Sequence, residues 1–248
     1  MVSQNQTRVE TTINLEKIKP QIRYLAEMKD LLFDQAWVQT APDLKLYFMY
    51  RDLAKNKQDQ TKIKKAGLRY DITIMPFLML GREFNKTAGH DHPLVPKTNL
   101  TYPEIYQVLK GRAIFLIQDS QADAILDIYT VQAKENDKVI VPPNYEHLMI
   151  NASGKELKTA NWMAQTESNI YKPFRQKRGF GYYALVGPNG DIIWHKSPNY
   201  QDVPELKFLP ANRLLEKFKI EKDQDIYTLA KDLKKLNFLK NPQKYEWK

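Results

Sequence analysis

From residue 68 onward, short runs of strand-forming residues follow one another closely, with turn residues between them. Isoleucine, valine, threonine and aromatic residues are frequent in these runs, as they are in β-strands. Pro188-Asn189-Gly190 separates two of the runs and is a strong signal for a hairpin turn. Many short strands at such spacing are typical of a sandwich or barrel, so the chain is predicted to be mainly β. The predicted strands cover residues 44–53, 70–80, 105–109, 113–118, 124–131, 138–141, 147–151, 157–164, 181–186 and 191–195.

Helical patterns are predicted on both sides of this β region, after a polar segment over residues 1–12 that we expect to be poorly ordered. Asn14 is a candidate N-cap for a helix over residues 15–28, and residues 55–65 read as a charged turn. Beyond residue 204, helical spacing returns over residues 211–219 and 225–236. The second of these segments carries an apolar stripe formed by Ile226, Leu229, Ala230 and Leu233.

These patterns predict two parts. Residues 1–204 are expected to form a β domain that includes an N-terminal helix and a strand arm, and residues 205–248 a helical extension packed on it. The alternative use of the apolar stripe is a contact between subunits.

Composition excludes several classes of function. The chain has no cysteine, which rules out disulfides, cysteine-ligated zinc, iron–sulfur clusters and thiol nucleophiles. We see no signal peptide and no apolar run of about 18 residues, so a cytoplasmic protein without a membrane span is expected. The formal net charge of +9 raises nucleic-acid binding as an alternative. Because the lysines form no single block and no DNA-reading motif is evident, we expect no nucleic-acid partner, and the charge equally suits a phosphorylated substrate.

Three of the four histidines lie in two short blocks. His90 and His92 are two residues apart, and in a strand such residues point to the same face. Glu104 begins the next hydrophobic run, and His147 follows the Pro142-Pro143 pair. Imidazole nitrogens with one carboxylate suit a divalent transition metal, so Fe, Mn, Co, Ni and Zn all remain open. The fourth histidine, His195, lies in a predicted hairpin without a partner motif, and we assign it no role.

The two blocks resemble the signature motifs of the cupin superfamily, in which three histidines and one glutamate bind a metal inside a small jelly-roll barrel. The matching residues are His90, His92, Glu104 and His147. Eleven residues separate His92 from Glu104, which is an insertion relative to the motif, and surface loops tolerate such insertions at low entropic cost. Asn136 and Asn144 stand where the second motif has glycines.

Over residues 20–200 the sequence is similar to the cupin-type glucose-6-phosphate isomerases of archaea and some bacteria. The segments that carry this likeness are Arg23-Tyr-Leu-Ala-Glu-Met-Lys-Asp, Tyr47-x2-Tyr50, Gly81-Arg-Glu-Phe, Thr87-x-Gly89-His90-x-His92, Glu104-x-Tyr106-x2-Leu109-x-Gly111, Val141-Pro-Pro-x3-His147 and Arg178-Gly179-Phe180. The resemblance implies a cupin-type double-stranded β-helix (a jelly-roll barrel) flanked by the helical segments described above. It also implies a homodimer with one divalent transition metal per chain.

The implied reaction interconverts glucose 6-phosphate and fructose 6-phosphate. A metal that polarises the C1 and C2 oxygens would lower the barrier, and Glu104 could also accept and return the proton. The resemblance places substrate contacts at Tyr47, Thr73, Thr87, Gly89, Tyr106 and Tyr171. Lys86 is a further candidate partner for the phosphate charge.

Two departures leave alternatives open. Met163 stands where this family often has an active-site tyrosine, and Asn169 where it often has histidine, so another sugar phosphate such as mannose 6-phosphate is possible. The rival functions are a cupin metal oxygenase, which would share the ligands, and a non-catalytic sugar-binding cupin.

Overall fold

The computed structural model of the chain describes residues 13–121, 124–165, 170–171 and 175–247. The expectation for residues 1–12 and the departure at Asn169 lie outside this described part. Strands dominate, which confirms the mainly β prediction. The strands are β1 Gln21–Tyr24, β2 Lys45–Tyr50, β3 Leu68–Met75, β4 Met79–Leu80, β5 Glu83–Phe84, β6 Glu104–Lys110, β7 Arg112–Gln121, β8 Ala124–Lys134, β9 Lys138–Val141, β10 Glu146–Ile150, β11 Leu157–Ala164, β12 Tyr182–Val186, β13 Ile192–Lys196 and β14 Lys207–Pro210.

Three sheets organise these strands, in the orders β1-β2-β3-β11-β6-β9, β10-β7-β8-β14 and β13-β12-β5-β4. The first two pack face to face through apolar side chains, such as Tyr106 of β6 against Phe115 of β7 at 5.1 Å between ring centroids. This is the layered arrangement of a jelly roll. The strand orders stay open among the described residues, so the two facing sheets of the jelly roll do not join into a closed barrel there. The site described below lies between them.

The N-terminal helix prediction is wrong. Residues 15–28 instead contain short 3-10 turns at Leu15–Lys17 and Leu25–Glu27, separated by strand β1. Pro20 explains the difference, because it removes a backbone donor and forces the preceding residue toward extended backbone. The chain then pairs with β2, with Ile22 opposite Phe48.

The charged turn predicted over residues 55–65 is also wrong, because Lys57–Lys65 form helix α2. Asn56 caps this helix by accepting from the Asp59 N–H, and Ile63 anchors it in the core. A shorter helix, α1, covers Gln35–Thr40.

The C-terminal segment is helical only in short 3-10 turns, at Glu216–Phe218, Ile226–Lys231, Leu233–Leu239 and Pro242–Lys244. The sequence pattern missed β14, which adds to β8 in parallel. Ile226, Leu229 and Ala230 of the predicted stripe are buried against the outer face of the first sheet, so the stripe packs within the chain. No helix among the described residues has the length and apolar character needed to cross a bilayer.

Candidate metal centre and substrate pocket

Three imidazoles converge on one carboxylate oxygen. The Glu104 Oε2 atom lies 3.7 Å from His90 Nε2, 3.3 Å from His92 Nε2 and 3.4 Å from His147 Nε2. The candidate ligand atoms of all four residues lie within 4.8 Å of one another. The structure therefore brings together the four residues that the sequence singled out as a metal set.

Both facing sheets and a connecting segment build this centre. Glu104 is the first residue of β6, and His147 lies on β10 opposite Ile117 of β7. His90 belongs to no regular strand; it pairs with His147 through two backbone hydrogen bonds, each of 3.1 Å. The expected strand around His90 and His92 is therefore a short bridge, which still directs both side chains toward Glu104.

Neighbouring groups orient the candidate ligands. The Asn161 side-chain amide donates to Glu104 Oε1 at 2.5 Å, which leaves Oε2 facing the imidazoles. The His92 Nδ1 atom lies 2.5 Å from the Tyr102 carbonyl oxygen, so a proton on Nδ1 would leave the Nε2 lone pair toward the centre. The Tyr106 hydroxyl lies 2.8 Å from His147 Nε2, the nitrogen that faces Glu104, so a cation bound to this nitrogen would displace the hydroxyl from it.

The electrostatic environment favours the protonation states that a metal requires. Burial, followed by the charge of His147, lowers the pKa of His90 to about 3, and burial also lowers the pKa of His147. Burial opposes ionisation of Glu104, but the three imidazoles around its carboxylate hold its pKa well below the usual range. Neutral imidazoles beside an ionised carboxylate form a ligand set ready for a divalent cation.

Two buried atoms test whether a cation fits. His90 Nε2 and Glu104 Oε2 are both inaccessible to solvent, and neither has a hydrogen-bond partner within the protein. A buried polar atom without a partner costs free energy, so two such atoms facing each other need an explanation. A cation between them would satisfy both, and the nitrogen and oxygen donors suit a transition metal.

The metal set lies at one side of a pocket whose empty space, including its solvent-open mouth, is about 590 Å³. All six residues predicted to contact substrate line it, and these are Tyr47, Thr73, Thr87, Gly89, Tyr106 and Tyr171. Their contacts with substrate remain predictions. Tyr106 shares its face of β6 with Glu104, as residues two apart in a strand do.

The hydroxyl groups in this pocket have defined partners. The Thr87 Oγ1 atom accepts from the Met149 N–H at 2.9 Å, and the Tyr47 hydroxyl oxygen accepts from the Ala88 N–H at 3.3 Å. Each hydroxyl thereby keeps its own proton available to donate to a bound group.

The prediction that Lys86 contacts the phosphate is not supported by its position. Its ammonium is buried, forms an ion pair with Glu83 and donates to the Leu31 carbonyl at 2.9 Å. It does not line the pocket, so it is not the expected partner for a phosphate. The motif places Lys86 beside Thr87, but the sequence could not show that Glu83 would take its charge.

Sequence reasoning missed several pocket residues. Arg51, Asp71 and Asn161 line the pocket on the first sheet, where Arg51 Nη1 lies 3.2 Å from Asp71 Oδ2. Their only available signal was strand alternation, since Asp71 lies two residues before Thr73 and Asn161 two before Met163. Met163 does line the pocket. His195, on strand β13, does not line it and packs against Phe33.

Comparisons with known proteins agree with this site. A family model described as Glucose-6-phosphate isomerase matches residues 23–204 of the chain. No curated protein sequence matches it.

Some solved structures are distantly similar to the chain. A vicilin from hazelnut, Corylus avellana, is 9% identical at a TM-score of 0.37, over 51% of this chain and 32% of the vicilin. An oxalate oxidase in complex with the substrate analogue glycolate is 16% identical at a TM-score of 0.33, over 67% of this chain and 63% of the oxidase. The chain thus spans about a third of the vicilin's length. Similarities this low support no conclusion about function.

Proposed function

Because the chain belongs to the cupin-type glucose-6-phosphate isomerase family, we propose that it is a metal-dependent aldose–ketose isomerase that interconverts glucose 6-phosphate and fructose 6-phosphate. The observation that carries the proposal is the convergence of three imidazoles on Glu104 inside a pocket lined by hydroxyl groups. His90, His92, Glu104 and His147 would hold one divalent transition metal. When bound, that ion would polarise the carbonyl and the adjacent hydroxyl of the open-chain sugar.

The protein groups around this centre support the hydrogen transfer that isomerisation requires. Net reaction moves one hydrogen between C2 and C1 and one proton between the two oxygens. Glu104 would take and return a proton, and Asn161 donates to its Oε1 atom at 2.5 Å. Tyr106 lies next to His147 and would orient the sugar hydroxyls.

The remaining pocket supports recognition of a phosphorylated sugar. The Tyr47 and Thr87 hydroxyls accept from backbone N–H groups, which leaves their protons to donate to phosphate oxygens. Gly89 has a φ of +72°, and a Cβ there would lie 2.3 Å from Phe180 Cε2, so only glycine fits this turn without displacing the ring. This turn leads directly into His90, which joins substrate recognition to the metal centre.

The first test is a coupled assay that detects fructose 6-phosphate formed from glucose 6-phosphate, with mannose 6-phosphate as a parallel substrate. We expect turnover of glucose 6-phosphate. Turnover of mannose 6-phosphate alone would reassign the substrate and would agree with the departure at Met163. Metal retention without turnover of either sugar would favour the non-catalytic binding cupin, and oxygen consumption would favour the oxygenase.

A Glu104→Gln variant tests the role of the carboxylate. We expect the rate to fall by about a hundredfold or more, with metal still bound at reduced affinity, because the amide cannot accept the proton. Turnover in deuterium oxide then separates two routes. Deuterium bonded to C1 of fructose 6-phosphate assigns proton transfer through a base that exchanges with solvent, and its absence is expected for a direct hydride shift. An unchanged rate with bound metal would contradict a proton-transfer role for Glu104.

A further inference from the structure

The proposed phosphate end of the pocket still needs a positive charge. A sugar phosphate carries close to two negative charges at neutral pH. The hydroxyl and backbone donors near Thr87 are neutral, and the ammonium of Lys86 is committed to Glu83. A dianion held by neutral donors alone would be poorly compensated in a partly buried site.

Arg23 is the cation that the fold places behind this end of the pocket. It lies on β1 directly opposite Tyr47 of β2. Its guanidinium carbon is 6.0 Å from the centre of the Tyr47 ring and 5.5 Å from the centre of the Tyr171 ring, and both tyrosines line the pocket. The side chain is only 12% exposed, so water screens its charge weakly.

Arg23 keeps one hydrogen-bond donor that no protein group uses. Its Nη1 atom donates to Glu27 Oε1 at 2.8 Å. The Nε atom is buried and has no hydrogen-bond partner within the protein. Glu27 is itself 44% exposed, so its charge is better screened than that of Arg23.

Arg23 also acts on Tyr47. Burial raises the pKa of Tyr47, while the charge of Arg23 opposes that rise. The same hydroxyl oxygen accepts from the Ala88 N–H. With this donor on the oxygen, the tyrosine proton is directed away from it and can donate to an anion.

The other pocket arginine is less suitable. Arg51 lies four residues beyond Tyr47 along the same chain segment, which corresponds to roughly 13 Å in extended backbone. It is also paired with Asp71 at 3.2 Å, and a second arginine, Arg69, contacts the same carboxylate at 2.9 Å. This cluster belongs to the opposite end of the pocket wall.

We propose that Arg23 is the positioning residue of the phosphate subsite and supplies the positive charge behind the Tyr47 hydroxyl, which donates to the substrate phosphate. This inference rests on the proposed function, because it assumes that the ligand is a sugar phosphate. It adds to that function a residue outside the pocket lining.

The test compares Arg23→Gln, Arg23→Lys and Glu27→Gln. In Arg23→Gln we expect the KM for glucose 6-phosphate and the inhibition constant of inorganic phosphate to rise by about tenfold or more, because a charge-assisted interaction is lost. Metal content and kcat should change little. Arg23→Lys keeps the charge and should restore much of the affinity for phosphate.

Glu27→Gln is the matched control. It removes the carboxylate that competes for Arg23 but keeps an oxygen for the Tyr24 N–H, which Glu27 Oε2 accepts at 2.9 Å. If Arg23 only braces the N-terminal arm, Glu27→Gln should weaken phosphate binding as Arg23→Gln does. If Arg23 serves the phosphate, Glu27→Gln should leave the affinity for inorganic phosphate unchanged or raise it. This variant decides the question even if Arg23→Gln does not fold.

Direct calorimetric binding of glucose 6-phosphate, inorganic phosphate and glucose separates this inference from the proposed function. A wild-type protein that binds glucose 6-phosphate but does not isomerise it, with weaker binding in Arg23→Gln, would overturn the function and support the inference. Equal phosphate affinity in wild type and Arg23→Gln would overturn the inference. Wild-type protein that binds glucose 6-phosphate no better than glucose would overturn it as well.

Discussion

The two oxygens of Glu104 have different environments. Oε1 accepts from Asn161, whereas Oε2 is buried, has no hydrogen-bond partner within the protein and faces three imidazole nitrogens. A carboxylate held through one oxygen cannot rotate freely, so the other oxygen stays at the centre of the ligand set. Hydrogen-bond partners of metal ligands commonly affect metal affinity, and Asn161 is expected to do so here.

Replacing Asn161 with alanine should therefore weaken metal binding by about tenfold to a hundredfold, because Glu104 loses the group that orients it. Equilibrium competition with a chelating dye would measure the change. Lys158→Ala, on the same strand but outside the pocket lining, is the control and should leave the affinity unchanged. Equal metal affinity in Asn161→Ala and wild type would show that Glu104 is oriented by other contacts.

Gly89 allows a second prediction at the residue scale. Gly89 and Gly154 have nearly the same backbone, with φ of +72° and +70°, but a Cβ at Gly154 meets nothing within 4 Å. Alanine causes the same backbone strain at either position, because the φ angles are nearly equal. Only Gly89→Ala adds a steric clash with Phe180. Gly89→Ala should be less stable than Gly154→Ala by about 1–3 kcal/mol, as expected for overpacking. Thermal unfolding measures this difference, and equal loss in both variants would refute the clash.

Some of these residue roles could be predicted from the sequence and others could not. The candidate ligands were visible because histidines are rare in the chain and their spacing matches a known motif. Asn161 was not, because its contact with Glu104 depends on the pairing of β11 with β6, two strands far apart in sequence. Lys86 was misassigned because the sequence does not show that its ammonium is buried against the Leu31 carbonyl, 55 positions away.

At the scale of elements, the central strands of the first sheet serve two purposes. Glu104 of β6 and Asn161 of β11 face the pocket, while Ile105 and Trp162 beside them face the opposite side. Those outward residues form a second apolar core with the C-terminal segment. Alternation along a strand thus links the metal centre on one face to the C-terminal packing on the other.

Hydrogen bonds join this C-terminal segment to the same strands. The Trp162 indole N–H donates to the Ile226 carbonyl at 2.8 Å, and the Ile226 N–H donates to Gln107 Oε1 at 2.8 Å. Lys138 on β9 donates to the Lys222 carbonyl at 2.5 Å. The segment is therefore an integral layer over the sheet that carries the site.

Phe238 tests this layer. It is fully buried and stacks on Phe218 at 4.1 Å between ring centroids. Phe238→Ala should reduce the free energy of unfolding by about 3–5 kcal/mol through lost burial and a cavity. Phe208, on β14, is 62% exposed. Phe208→Ala should change the free energy of unfolding by no more than about 0.5 kcal/mol. Urea unfolding would compare the two, and similar small losses would mean that the C-terminal layer contributes little stability.

The predicted elements succeeded where local pattern and tertiary packing agree. The strands over residues 138–141 and 157–164 begin and end where predicted, because alternation and turn residues mark them. Helix α2 was missed because its composition is mostly charged and its single buried anchor, Ile63, gives little periodicity. The C-terminal turns were predicted as helices because apolar spacing alone does not distinguish a 3-10 turn from an α-helix.

At the scale of the whole molecule, the candidate metal centre joins separate parts of the chain. Glu104 comes from the first sheet and His147 from the second, and His90 and His92 come from the segment between β5 of the third sheet and β6 of the first. A cation bound to all four would hold the facing sheets together at the pocket. Metal binding should therefore stabilise the fold as well as supply the chemistry.

The central claim is that the four converging side chains hold a metal required for sugar-phosphate isomerisation. The most direct measurement is the glucose 6-phosphate isomerase rate of protein stripped with chelator and reloaded separately with Fe²⁺, Mn²⁺, Co²⁺, Ni²⁺ or Zn²⁺. We predict that the rate disappears on stripping and returns with at least one ion. A full rate in metal-free protein, or no rate with any ion in protein shown to rebind metal, would contradict the claim.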